Sequence, residues 1–150
     1  MTVNAIDVAA QILKQLGSMP ALKLQKLVYY CQAWSLVWDD APLFNERIEA
    51  WVNGPVIPHL YAAHRGQYIV EALTQGNPSA LSSQQGTTIK NVLDFYGDKE
   101  TQWLVELTHL EEPWKQARKR VGLAPLERGT EEISQAEMAE YYSSLVTSNG

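Results

Sequence analysis

Apolar residues recur every three to four positions near the start of the chain, where Ile6, Ala9, Ile12, Leu13 and Leu16 fall on one face of a helix over 5–16. Asn4 or Thr2 can cap it, and Gly17 stands just past its end. The next segment is not a surface helix. Over about 22–38, Leu24, Leu27, Val28, Cys31, Trp34, Ser35 and Trp38 share one face, and Tyr29, Tyr30, Ala33, Leu36 and Val37 occupy much of the remainder. A helix apolar on nearly all sides belongs inside a bundle, so this one is expected to be the buried spine, with Trp34 and Trp38 as its clearest core aromatics. Asp39-Asp40-Ala41-Pro42 ends it.

Over 43–57 the period changes. Ile48, Ala50 and Val52 alternate with Arg47, Glu49 and Trp51 between Pro42, Gly54-Pro55 and Pro58, which supports a short extended segment or hairpin. Pro58 is placed for the first turn of a helix through Leu60, Tyr61 and His64 that Gly66 terminates. The polar run 74–86 reads as one long surface loop. Further helices are predicted at about 84–96, 101–109 and 113–121, and a linker-like stretch at 122–129. Ser134 and Glu137 form a capping box that opens a last helix bearing Met138, Tyr141, Tyr142 and Leu145. The expected fold is therefore mainly α: a single-domain helical bundle over 1–150 around the helix at 22–38, with a short hairpin segment near 43–57.

Composition narrows the function classes. A chain of 150 residues has the length of one domain with a real core. Cys31 is the only cysteine, which rules out an intrachain disulfide and fits a reducing, cytoplasmic setting. The longest charge-free apolar run, 27–38, is short of the ~20 residues a membrane span requires. A net charge of −5 argues against a non-specific nucleic-acid binder. The one basic cluster, Lys115, Arg118, Lys119 and Arg120, reads as a solvated helix end complementing the helix dipole.

Reactive constellations are thin. His59 and His64 are separated by about 140° on a helix and do not form a chelating pair. Glu111 and Glu112 beside His109 read as negative charge at the N-terminus of the next helix rather than as acid–base groups. Nucleophile-elbow, phosphate-loop and dinucleotide motifs are absent, and Cys31 lies within the spine, so neither enzyme nor cofactor is expected. Trp51 and Trp114, each near a proline at an element boundary, are either interface anchors or core. The corner formed by Trp51, Asn53, Gly54 and Pro55, together with Trp114, is the candidate partner-binding surface.

Three ordered motifs carry a family resemblance over about 22–142. They are Leu24-Gln25-Lys26-Leu27 with Tyr30 and Trp34, then Trp51 with Gly54-Pro55, Pro58 and Tyr61, and finally His109, Glu111, Pro113 and Trp114. In this order they resemble the Panacea domain, whose members include SocA-like antitoxins and the phage-associated protein GepA. The resemblance implies a helical antitoxin that neutralises a cognate protein toxin, encoded by the adjacent gene, through direct contact. Most motif residues are then scaffold. Delivery of a partner to a protease and an enzymatic phage-associated activity are the alternative readings, and a second copy of the chain is a further potential partner. With a helix at its start and no basic tail, the chain is expected to lack a DNA-binding segment for autorepression.

Overall fold

Asn4 opens α1 (Ala5–Leu16) through a reciprocal box: its side-chain oxygen accepts from the Asp7 N–H at 3.0 Å, and Asp7 accepts from the Asn4 N–H at 3.0 Å. The structure is a computed structural model that describes residues 3–147, so Thr2, the other capping candidate, lies outside the described residues. Gly17, at φ 87°, closes the helix with its N–H on the Leu13 carbonyl.

The two-residue strand β1 (Met19–Pro20) leads into α2 (Ala21–Trp38). Every residue from Leu24 to Ala33 is buried, polar ones included, and α1 packs around it with the later helices Ser83–Tyr96, Thr101–Leu110 and Gln135–Thr147. This is the expected spine. Its end corrects one expectation, because Trp34 is half-buried and Trp38 is 47% exposed. The two indoles stack on each other at 5.1 Å, and Trp34 also donates to the Tyr96 hydroxyl.

The hairpin is real: β2 (Ile48–Trp51) pairs antiparallel with β3 (Gly54–Val56) in the register Trp51 with Gly54. A third strand that periodicity could not reveal, β5 (Glu132–Ile133), lies on the other side of β2, giving the order β3-β2-β5. After α3 (Pro58–His64), β4 (Ile69–Val70) pairs with β1. The expected loop at 74–86 is shorter than its composition suggests: it holds a 3-10 turn at Pro78–Ala80, and α4 (Ser83–Tyr96) starts inside it from a Ser82/Gln85 capping box. Gly76 lies flat on α1, where a Cβ would come 2.6 Å from the Ile6 carbonyl oxygen.

Helices α5 (Thr101–Leu110), α6 (Glu112–Arg120) and α7 (Gln135–Thr147) complete the described chain. Ser134 and Glu137 form the anticipated box, at 3.0 and 3.1 Å. The fold is thus mainly helical with a small antiparallel sheet, and one hydrophobic cluster runs from Val3 through α2 to Tyr142.

Candidate functional site

The β2–β3 hairpin is held from two sides by side chains that bond its backbone. From α2, Gln25 accepts from the Ile57 N–H (2.9 Å) and donates to the Ile57 carbonyl (3.4 Å), while Lys26 donates Nζ to the Pro55 carbonyl at 2.9 Å. From the opposite side, Arg118 donates to the Ala50 carbonyl (3.0 Å), Trp114 Nε1 to the Trp51 carbonyl (2.7 Å), and His109 bonds the Val52 backbone. Five side chains therefore bond backbone groups between 50 and 57 in addition to the short β2–β3 ladder.

Gly54 makes this clamp possible. Its φ of 111° is unfavourable to L side chains, and a Cβ there would sit 2.6 Å from Lys26 Cε and 2.7 Å from Thr108 Oγ1. Lys26 is fully buried, and loss of hydration pulls its pKa down to about 7. His109 stacks on Trp114 at 4.1 Å and, with Nε2 buried and unpartnered, is also held below the usual histidine range by burial first. Arg118 packs its guanidinium over the same indole at 5.2 Å and reaches the Ala124 and Glu127 carbonyls.

Beside the clamped hairpin lies a groove of about 820 Å³. It is lined by Trp51, Val52 and Asn53, by the run 128–130, and by Tyr61, Gln67 and Tyr68 from α3 and the approach to β4. The floor includes Gln25, Val56 and His64. Trp51 meets Tyr61 edge to face at 5.1 Å, and Tyr61 meets His64 at 5.4 Å, so three rings run along it. Because the Ile57 N–H fixes Gln25 Oε1 as an acceptor, the Gln25 amide nitrogen donates to His64 Nε2 at 2.9 Å, which leaves the imidazole proton on Nδ1. Burial lowers the His64 pKa below the usual histidine range.

A second polar cluster ties the last helix to the spine. Glu111 Oε1 accepts from Tyr30 (2.7 Å) and Tyr142 (2.8 Å), so at the 3.0 Å contact between hydroxyls it is Tyr29 that donates to Tyr142. Burial raises the Glu111 carboxyl above its ordinary range, and the two tyrosines partly oppose that shift. Tyr30 also stacks on Tyr96 at 4.2 Å, and Tyr96 accepts from Trp34 Nε1 at 3.0 Å.

Several expectations need correction. Trp114 is only 9% exposed and clamps the hairpin, so it presents no surface indole. Gly54 and Pro55 are buried, whereas Asn53 is exposed and Trp51 half-buried. Tyr61, expected as scaffold, is 37% exposed and lines the groove. Glu111 stands at the N-terminus of α6 as its cap residue, but its side chain makes no cap bond and is buried among tyrosines; Glu112 sits exposed in the first turn. Arg118 leaves the solvated basic cluster and pins the supposed linker at 122–129. Leu24, Leu27 and Pro113 are core, and Pro58 is half-buried at the start of α3. Sequence reasoning missed Tyr68 and Arg128 as groove residues, and only the 81% exposure of the Tyr68 ring in the fold draws attention to it. Among the described residues no three His, Cys, Asp or Glu side chains gather where they could share a metal. No described helix is long and apolar enough to cross a membrane. Burial raises the Cys31 thiol well above its ordinary value and suppresses nucleophilicity.

The fold and this arrangement define a helical domain that uses its buried polar groups to fix a hairpin beside an open aromatic groove. A family model described as the antitoxin SocA-like, Panacea domain matches residues 24–115, and the chain belongs to that family. The match takes in all three motifs and ends within α6, short of the closing helix that the sequence resemblance had included. No curated protein and no solved structure matches the chain.

Proposed function

We propose that the domain is an antitoxin: it neutralises a protein toxin, encoded by the adjacent gene, by binding it directly and without turnover. The observation that carries this reading is membership of the SocA-like Panacea family. The structure supports it through the division of labour among the motif residues. Gln25, Lys26 and Trp114 direct their polar groups to the hairpin backbone, and Glu111 directs its carboxylate to two tyrosines, so they act as scaffold. A rigid scaffold that holds out an aromatic surface suits recognition of a partner, since buried aromatics dominate the energetics of most interfaces.

Growth tests the proposal. The neighbouring gene product, induced alone, is expected to arrest growth, and co-expression of this chain is expected to restore it. A neighbour that is harmless by itself would overturn the reading.

A further inference from the structure

The groove beside the hairpin has a charge pattern at odds with the rest of the chain. With 17 acidic against 12 basic residues, the protein is acidic overall, yet no carboxylate lines the groove and Arg128 is its one formally charged side chain. Of the acids nearest in sequence to its lining, Glu49 pairs with Arg47 at 2.9 Å while its other oxygen accepts from the Trp51 indole, Glu131 pairs with Arg120 at 3.1 Å, and Glu127, beside Arg128, accepts from the Ala124 N–H. Arg128 is exposed and makes no ion pair among the described residues. Arg65, next to the lining residue Gly66, is likewise exposed and unpaired among them.

Shape and lining narrow the occupant further. About 820 Å³ takes a segment of only a few residues, too short to sustain a helix of its own, so the occupant is an extended chain. Three aromatic rings, Trp51, Tyr61 and the 81% exposed Tyr68, offer apolar faces to alternate side chains of such a segment. The clamp on 50–57 keeps this wall from rearranging, which limits the ordering cost of binding.

We propose that this groove seats an acidic, extended segment of the partner protein, with its apolar side chains on Trp51, Tyr61 and Tyr68 and its carboxylates on Arg128. The inference rests on the antitoxin reading for the identity of the partner but can fail separately from it. Charge complementarity of this kind sets the choice of partner and the rate of encounter.

The test is a titration of the isotope-labelled full chain followed by amide chemical shifts. Three probes are used: a blocked peptide alternating Asp or Glu with Leu and Phe, the same peptide with every acid replaced by Lys, and adenosine monophosphate. The acidic peptide is expected to move amides near 51–53, 66–68 and 130 saturably at millimolar concentration, the lysine peptide to leave them still, and Arg128→Glu to weaken the acidic peptide by about tenfold or more. The spectrum of the variant itself reports whether it is folded. No movement with the acidic peptide, equal movement with its lysine counterpart, or stronger movement with the nucleotide would each overturn the proposal. Growth rescue by Arg128→Glu as complete as by the natural chain would also sink it while leaving the antitoxin reading intact.

Discussion

Replacing Lys26 by Met removes a buried charge while nearly preserving volume, and its consequence depends on pH in a calculable way. The folded-state pKa is about 7 against 10.5 for the unconstrained side chain. Between these values the unfolded chain binds more protons than the folded one, so stability rises with pH across the window and is lost as pH falls towards 7. At 1.36 kcal/mol per unit, the fold at pH 7 gives up about 4 kcal/mol relative to a neutral lysine, and regains about 2 kcal/mol of it between pH 7 and 9. Methionine abolishes that dependence but leaves the Pro55 carbonyl without its donor, at a cost of about 1–3 kcal/mol. Urea denaturation should therefore find Lys26→Met more stable than the natural chain by about 1–3 kcal/mol at pH 7, and within about 1 kcal/mol of it at pH 9. A natural chain whose stability is flat from pH 7 to 9, or a variant less stable at both, would show that Lys26 is not held as a buried, poorly hydrated amine.

Gly54→Ala should cost about 3 kcal/mol or more in the same assay, because φ 111° and the 2.6 Å approach of Lys26 Cε both oppose a methyl group; a loss below about 1 kcal/mol would contradict the clamp. Glu111→Ala strands two buried hydroxyls and is expected to cost about 2–5 kcal/mol, while Glu111→Gln keeps an acceptor and should cost less than half as much. With its carboxyl pKa raised, the natural chain should also lose stability as pH rises through that value, and Glu111→Gln should not, which paired melts across the acid range would show. Arg118→Lys cannot reach three carbonyls from one planar fork, so limited proteolysis should cut faster within 122–129; an unchanged rate would mean the segment is held by something else.

The spine was legible because burial on all sides leaves a mark on every turn of α2, and caps at Asn4 and Ser134 were legible because they are local. The hairpin clamp was not. Lys26 meets Pro55 across 29 residues, Trp114 meets Trp51 across 63 and Arg118 meets Ala50 across 68, and all three are side-chain bonds to backbone carbonyls that no periodicity encodes. Trp114 was suspected at the surface because prolines mark boundaries, but its indole N–H finds a buried carbonyl and its ring is covered by His109 and Arg118. Arg118 was hidden by its neighbours: in a run of four basic residues nothing local distinguishes the one that points inward. Glu111 and Glu112 are adjacent, yet the extended backbone at Glu111 sends its side chain to the tyrosines while Glu112, the first residue of α6, faces solvent. Of the groove, the sequence pointed to Trp51 and Asn53 as surface residues, but it read Tyr61 as scaffold and did not reveal Tyr68 or Arg128.

Direct binding is the central claim, and size-exclusion chromatography of the purified chain mixed with the purified product of the adjacent gene tests it. The account predicts a single earlier peak of fixed stoichiometry, in which the toxic activity of the neighbour is suppressed with no other component present. Separate elution of the two proteins, with the neighbour's activity undiminished by excess of this chain, would contradict it.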